Sequence, residues 1–236
     1  HLLGVVLHFE EDPRLRETLF LDPNWTVNAV YTVLSDRAIE QFNGEVPLIF
    51  MKTLWNKKKL SYIEQTRLIN LMLKDAFELC YEHPGKLDHY IIPLLLPKQE
   101  PDYHWDNTDP LCFRFQYPFM PKGIINRLMV RLNGIIEKNI VWQAGVLFAW
   151  EGARAKVVER ETTREGLKII DIQLKGRADK RKELLAIIRQ EIKRIQDASF
   201  PQLPYYEMVP CSCAECLGVK EKRFYAHSDL ENLLKK

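Results

Sequence analysis

The sequence lacks the features that would place it in several specialised classes of protein. No run approaches the ~20 apolar residues that a membrane-spanning helix needs, and no secretory signal peptide is recognisable. Neither sign of charge is in large surplus, since 34 basic and 32 acidic side chains give a formal net charge of +2. Nucleic-acid binders usually carry a concentrated basic footprint, so this balance argues against that class.

Cysteine is also scarce, with five residues in a chain of 236. The number is odd and three of the five are clustered near the C-terminal end, which does not fit the paired framework of a disulfide-stapled secreted domain. Thiols that stay unpaired are typical of a reducing compartment. We therefore expect a cytoplasmic protein.

The common catalytic motifs are absent as well. The sequence contains no Gly-x-x-x-x-Gly-Lys-Ser/Thr loop, no Gly-x-Gly-x-x-Gly and no His-Glu-x-x-His, and its six histidines are scattered. Without the first motif the chain has no backbone cradle for the phosphates of a nucleotide. We expect a chain that is not an enzyme and that neither binds nor hydrolyses GTP by itself.

Size and composition indicate a well-packed globular protein. A chain of 236 residues with 46% hydrophobic side chains can bury roughly 70% of its unfolded surface, enough for one large domain or two small ones. The chain opens on His1 and runs straight into apolar residues with no helix cap. This beginning predicts an excised piece of a longer protein.

The stretch 111–132 is the most informative part of the sequence. Leu111, Phe113, Phe115 and Tyr117 alternate with polar residues or cysteine, the pattern of a strand with one buried face. A corner with two prolines and a glycine, residues 118–123, must end this strand. Apolar residues then recur with helical spacing and predict one helix face: Ile125, Leu128, Met129, Leu132, Ile135 and Ile136.

The first half reads as several helices with small strands. Residues 1–8 look like the end of a helix, 18–21 like a short strand, and 47–55 like a short helix. Asp22 and Pro23 predict the start of a helix, and Asn43-Gly44 predicts a turn. The helix that starts at Asp22 and Pro23 has a predicted apolar face consisting of Val27, Val30, Tyr31 and Leu34.

A capping box marks the longest predicted helix of this half. Ser61 and Glu64 have the Ser-x-x-Glu spacing in which side chain and backbone cap each other, and the helix is expected to run to about Cys80. Residues 90–93 follow as a buried strand. Short helices, one long helix and small strands together suggest a winged-helix-like unit.

The second half reads as a sheet with packing helices. Residues 97–110 are polar, bounded by prolines and without periodicity, and they predict a domain boundary between a unit 1–101 and a unit 102–236. Strands at 146–150, 153–160 and 167–174 predict an antiparallel meander. A helix over 181–196, a short strand at 205–209 and a closing helix capped by Ser228 and Glu231 complete an α/β (α+β) protein.

Cys211, Cys213 and Cys216 are the sharpest local signal for chemistry. Three thiolates so close together could bind one soft cation such as zinc, but a closed structural site needs four nitrogen or sulfur ligands. Only His227 is near in sequence, and it could lie on the wrong side of the strand around Tyr225. The alternatives are three partly buried thiols, or a site whose fourth ligand lies beyond Lys236.

The remaining charged and aromatic residues are mostly expected to be structural. Six basic residues border the helix over 181–196 and are best interpreted as a solvated helix face rather than a phosphate site: Lys180, Arg181, Lys182, Arg189, Lys193 and Arg194. The aromatics Phe115, Phe119, Trp142 and Trp150 are expected in the core. Some of them could contact a partner instead, because proline-fixed corners often present side chains outward.

Several segments in order resemble the COR domain of Roco proteins. In the second half they are residues 118–123, the Arg-Leu pairs at 127–128 and 131–132, and Trp142-x-x-Gly145; in the first half they are residues 4–9, 20–25 and 92–97. Leucine-rich-repeat kinases are related members of the family. The Cys-Ser-Cys-x-x-Cys tail resembles prokaryotic members more than the animal kinases.

The resemblance implies a fold and a function. COR domains follow a Ras-like GTPase domain called Roc, often with leucine-rich repeats upstream, and contain a winged-helix-like subdomain followed by one built on an antiparallel sheet. It implies a non-catalytic regulatory module that couples the nucleotide state of Roc to homodimerisation. The competing hypotheses are a winged-helix nucleic-acid binder, a zinc-stabilised protein-interaction domain, and an enzyme with no visible active site.

Two expectations about surfaces follow from this resemblance. The GTPase domain should contact the first half and the proline corner, through Phe115, Phe119 and Met120, because prolines hold these large apolar groups in place. The dimer interface should lie in the second half, where a three-stranded meander would leave open edges. Which residues form that interface is left open.

Overall fold

The computed structural model describes residues 7–8, 13, 15–16, 19–20, 22–73, 77–106, 110–162, 167–213, 215–216 and 223–234. They form two compact units, one comprising residues 1–98 with 129–133 and the other residues 99–128 with 134–236. Helices dominate the first unit and an antiparallel sheet the second, which confirms the predicted mixed α/β class. No helix within the described ranges is long and apolar enough to cross a bilayer.

Three helices and a small sheet form the first unit. The helices are α1 (Pro23–Leu34), α2 (Leu48–Lys57) and α3 (Tyr62–Met72), and the strands β3 (Glu45–Pro47), β4 (Tyr81–Glu82) and β5 (His89–Ile91) form a sheet in the order β3-β5-β4. Strands β1 (Leu7–His8) and β2 (Leu19–Phe20) pair separately. The helical prediction for residues 1–8 is therefore wrong at Leu7 and His8, and residues 1–6 lie outside the described part.

The predicted helix starts of the first unit are confirmed. Asp22 caps α1 by accepting a hydrogen bond from the Trp25 backbone N–H at 3.0 Å, and Pro23 occupies the first helical position. Ser61 and Glu64 form both bonds of the capping box at α3. Such caps satisfy N–H groups that a helix cannot pair internally.

The predicted apolar face of α1 is displaced by one position. The buried residues are Thr26, Ala29, Val30 and Val33, whereas Val27 and Tyr31 are exposed. The Thr26 hydroxyl donates to the Asp22 carbonyl at 3.1 Å. Because this bond satisfies its polar group, Thr26 can be buried where the hydrophobic pattern would leave it in solvent.

Helix α3 ends eight residues earlier than predicted, at Met72 instead of Cys80. The Met72 carbonyl accepts from the backbone N–H groups of Leu79 and Cys80, and that of Leu71 from Phe77. These bonds replace the helical partners of the last turn, so the chain can turn away. Residues 74–76 of the predicted helix lie outside the described residues.

Tight packing of α1, α2 and α3 forms the core of the first unit. Trp55 on α2 is fully buried, and its indole N–H donates to the Ala29 carbonyl of α1 at 2.8 Å. A buried tryptophan needs such a partner for its single polar atom. Trp55 belongs to the same buried apolar cluster as Leu68, Leu71 and Met72 of α3.

A seven-stranded antiparallel sheet forms the second unit. Its strands are β6 (Leu111–Tyr117), β7 (Ile136–Trp142), β8 (Gly145–Trp150), β9 (Ala153–Glu161), β10 (Lys168–Lys175), β11 (Tyr206–Pro210) and β12 (Phe224–Ala226), in the order β12-β11-β6-β10-β9-β8-β7. The predicted meander is present as β8, β9 and β10. Its edges are not open, however, because β7 pairs with β8 and β6 pairs with β10.

Helix α5 (Ala178–Ser199) packs against β9 and β10. The helical spacing of its apolar residues predicts five of them inside. Leu184, Ile188, Ile192 and Ile195 are buried, whereas the fifth, Leu185, is only half-buried. The guanidinium carbon of Arg189 lies 4.5 Å from the centre of the Phe113 ring, so Phe113 is on the helix-covered side of the sheet. Phe115 and Tyr117 share that side, since side chains two residues apart in a strand point the same way.

Helix α4 (Ile124–Arg131) and the last helix, α6 (His227–Leu234), differ from their predicted bounds. The α4 pattern suggested a helix to Ile136, but Ile136 begins β7. The Asn133 side chain donates to the Val130 carbonyl at 2.7 Å, a local bond that competes with continuing the helix. Helix α6 begins at His227, one residue before the predicted cap Ser228.

Candidate functional site

Cys211, Cys213 and Cys216 lie together at the turn end of the β11–β12 hairpin. Cys211 directly follows β11, and its backbone N–H donates to the Arg223 carbonyl at 2.7 Å. This bond continues the ladder between the two strands by one step. The sulfur atoms of the three cysteines lie within 4.8 Å of one another, so the fold brings together the ligands that the sequence predicts.

Backbone hydrogen bonds shape this cysteine cluster. The Cys213 N–H donates to the sulfur of Cys211 at 3.4 Å, and the Cys216 N–H donates to the Cys213 carbonyl at 3.0 Å. Hydrogen bonds from the Cys211 side chain, and then from the backbone and side chain of Cys216, lower the pKa of Cys213 to about 7. A lowered pKa favours the thiolate of Cys213, the form that binds metals. At Cys211 the backbone hydrogen bond from Cys213 lowers the pKa, but the side chains of Cys213 and Cys216, together with burial, outweigh it and raise that pKa.

No histidine or carboxylate from the described residues joins the cluster, which contains the three sulfur atoms alone. His227, the possible fourth ligand by sequence, instead lies beside β6, with its ring centre 6.5 Å from that of Phe113. Cys216 is buried and Cys213 is exposed. The arrangement can present three thiolates to one soft ion while one coordination position stays available.

The three predicted interface residues at the proline corner have different environments. Phe119 is 70% exposed, whereas Phe115 is fully buried and Met120 is 8% exposed. Phe115 faces the core because it belongs to the alternating inner face of β6, and its ring centre lies 5.5 Å from that of Phe113. The assignment of Phe115 and Met120 as surface anchors is therefore wrong, and Phe119 alone of the three is available to a partner.

The basic residues along α5 are partly used within the unit. Arg189 donates to Glu207 of β11 at 2.9 Å, and Lys193 approaches the same carboxylate at 3.0 Å. Burial alone would raise the pKa of Glu207, but the hydrogen bonds from Arg189 and Lys193 outweigh burial and lower that pKa. This pairing favours the structural interpretation of these two basic residues over a phosphate site.

Two further clusters were not expected from the sequence. Asp171 of β10 lies between Arg114 of β6, at 2.6 Å, and Arg160 of β9. The Trp142 ring packs on Gly145, where an added Cβ atom would lie 2.3 Å from the ring. An aspartate inside the apolar run of β10 was the available signal for the first cluster, but its partners depend on strand pairing.

Two family models together match nearly the whole chain. Residues 1–96 match the family described as "C-terminal of Roc, COR-A domain", and residues 108–236 match "C-terminal of Roc, COR-B domain". A Roc-COR-CHAT protease from an unknown prokaryotic organism is 29% identical over 169 residues, covering 69% of this chain and 15% of that protein.

Two other relatives extend the similarity. The probable serine/threonine-protein kinase pats1 of Dictyostelium discoideum is 24% identical over 246 residues, covering 98% of this chain and 8% of the kinase. A Roc-COR-CHAT protease of Runella zeae is 25% identical over 163 residues, covering 67% of this chain and 17% of the protease. The chain thus spans less than a fifth of the length of these relatives. It belongs to the COR family, with a COR-A domain followed by a COR-B domain.

Proposed function

We propose that this chain is the non-catalytic regulatory and dimerisation module of a Roco G protein. In this role it couples the nucleotide state of a neighbouring Roc GTPase domain to the association of two subunits. The supporting observation is that nearly the whole chain matches two domains defined by their position after Roc. Two relatives also combine Roc and COR in their names.

Phe119 is the proposed contact for the GTPase domain. It lies between Pro118 and Pro121, in the corner that joins β6 to α4, and 70% of its surface is exposed. Gly123 completes the corner with φ +95°, a backbone conformation that strongly favours glycine. A large aromatic held in place by such a backbone loses little entropy on binding and makes a good interface anchor.

The edge of the sheet at β11, β12 and α6 is the proposed dimer surface. Three of the large apolar side chains that the second unit exposes are in these elements: Tyr206, Tyr225 and Leu230. The opposite edge strand, β7, is irregular, with a shifted register between Ile136 and Val141, and such bulges discourage edge-to-edge pairing. Tyr206 and Tyr225 point to opposite faces of the sheet, so the element they share is the edge at β12. This edge can meet the same edge of a second subunit in a twofold-symmetric dimer.

Replacing Phe119 with alanine is expected to weaken binding of the parent protein's Roc domain about tenfold, the loss of one interface anchor. Binding is measured by calorimetry between the separate Roc domain and this chain, with Roc loaded with GDP or a non-hydrolysable GTP analogue. Tyr225→Ala is the matched control, and its affinity for Roc should stay at the unmodified value. Unchanged affinity in Phe119→Ala would exclude the corner as the contact.

Replacing Tyr225 with alanine is expected to raise the dimer dissociation constant at least fivefold, equivalent to about 1 kcal/mol. Sedimentation equilibrium of the whole chain from micromolar to hundreds of micromolar measures this constant. Tyr31→Ala removes a comparably exposed tyrosine of the first unit and should not change it. A chain that stays monomeric throughout, or equal effects of the two variants, would contradict the proposal.

A further inference from the structure

We propose that Cys211, Cys213 and Cys216 bind one Zn²⁺ ion that fastens the turn end of the β11–β12 hairpin. A water molecule can occupy the fourth coordination position of such an ion. None of the three cysteines belongs to the proposed dimer or GTPase contacts, although the site lies on the hairpin that carries the proposed dimer surface. It rests on the positions of the three sulfur atoms and on the way the backbone holds them.

The sulfur positions are close to those of a zinc site. With zinc–sulfur bonds of about 2.3 Å, two ligands of a tetrahedral ion lie about 3.8 Å apart. All three sulfur atoms are within 4.8 Å of one another, so closing around the ion requires movements of about 1 Å or less. Rotation about the Cα–Cβ bonds can supply such movements, and the exposed Cys213 has room for them.

The backbone already has the form that thiolate ligands need. The Cys213 N–H points at the sulfur of Cys211, and the turn closed by the Cys216 N–H and the Cys213 carbonyl brings the third cysteine back toward the first two. Donors around ligand atoms orient them and support their negative charge. The fold therefore already orders part of the segment that would otherwise lose conformational freedom when the ion binds.

The chemistry of the ligands selects the ion. Thiolates are soft ligands that favour zinc over magnesium or calcium, which require oxygen ligands. A disulfide is the competing fate of the cluster, but it would pair two cysteines and leave the third over. A single ion, in contrast, uses all three sulfur atoms.

The hairpin has a structural need for this ion. Strand β12 is an edge strand of three residues, paired only with β11 through three positions. Its main described side-chain anchor is Phe224, whose ring centre lies 3.8 Å from the guanidinium carbon of Arg114. Short edge strands open easily, and α6 follows β12 directly. An ion held by Cys211, Cys213 and Cys216 would order the segment that follows β11, and through the hydrogen bond from the Cys211 N–H to the Arg223 carbonyl it would steady the start of β12.

The first test measures binding of Zn²⁺ to the whole reduced chain, freed of metal by dialysis against a chelator. We expect one ion per chain in competition with a chromophoric zinc indicator, and Co²⁺ substitution should produce the sulfur-to-metal charge-transfer band of a thiolate site. Cys213→Ser should weaken binding at least about tenfold. Cys80→Ser, a substitution in the first unit, should leave both affinity and stoichiometry unchanged.

The second test measures amide hydrogen exchange with and without Zn²⁺. The amides of Cys211 and Tyr225 belong to the hydrogen-bonded pairs Cys211↔Arg223 and Val209↔Tyr225 of the hairpin. They should exchange at least about tenfold more slowly with the ion bound, while those of Ile170 and Ile172 on β10 should not change. No binding at micromolar Zn²⁺, one ion per two chains, or equal losses in the two serine variants would each overturn the proposal.

Discussion

Replacing Phe115 with alanine is expected to lower the free energy of unfolding by about 3–5 kcal/mol, the usual range for removing a buried phenylalanine. Phe115 is fully buried and lies in the middle of the sheet, opposite Ile170 of β10 and Glu207 of β11. Its ring also lies 5.8 Å from that of Tyr205. The resulting cavity would be bordered by both neighbouring strands, which cannot collapse without shifting the sheet.

Phe119→Ala is the control for this prediction, four residues away in the same segment. Because Phe119 is 70% exposed, its removal should change the unfolding free energy by no more than about 0.5 kcal/mol. Urea unfolding followed by tryptophan fluorescence compares the two variants under identical conditions. A destabilisation of Phe119→Ala as large as that of Phe115→Ala would show that the corner is packed and unavailable to a partner.

Replacing Asp171 with alanine is expected to lower the free energy of unfolding by about 3–5 kcal/mol, because it breaks a buried ion pair by removing one partner. Asp171 is 7% exposed, and it accepts from Arg114 at 2.6 Å and from Arg160. The Arg114 side chain is only 15% exposed, so its charge would stay buried without the carboxylate. Removing the Asp171 carboxylate should also loosen β12, since Arg114 stacks on Phe224 as well.

Glu161→Ala is the matched control for the Asp171 substitution. Glu161 of β9 pairs with Lys168 of β10, but both side chains are about half exposed. Surface pairs of this kind contribute about 0–1 kcal/mol to stability. A double substitution, Arg114→Leu with Asp171→Leu, should recover much of the lost stability because no buried charge remains. Thermal and urea unfolding of the three variants measure these stabilities. A small loss of stability in Asp171→Ala would contradict the prediction and mean that water reaches Arg114.

Family membership was predictable from short segments, and the structure explains one of them. Trp142-x-x-Gly145 ends β7 and begins β8, and the Trp142 ring occupies the space that a side chain at position 145 would need. The spacing of the two residues is therefore a packing requirement. The predicted winged-helix likeness of the first half stays a prediction, although its helices and small sheet are both present.

Local signals determined the secondary structure and the cysteine cluster. The Asp22 cap, the Ser61–Glu64 capping box and the apolar stripe of α5 each depend on residues within one or a few turns of helix, so the sequence alone predicted them correctly. The close spacing of Cys211, Cys213 and Cys216 likewise leaves a tight turn few ways to separate them. Misplaced element ends, as at Met72 and Arg131, occur where neighbouring carbonyls find partners outside the helix.

Which strands are neighbours and which side chains reach solvent could not be predicted from the sequence. Strand β6 is far in sequence from both β10 and β11 yet lies between them, and this pairing buries Phe115, exposes Phe119 beyond the strand end and assigns Arg114 to Asp171. Local sequence cannot specify such contacts, because the favourable pairing of distant strands is a property of the whole sheet. Local sequence patterns were enough to predict the family, the mixed α/β class and the caps at Asp22 and Ser61. The core, the buried charges and the surfaces left for partners depend instead on the pairing of distant strands.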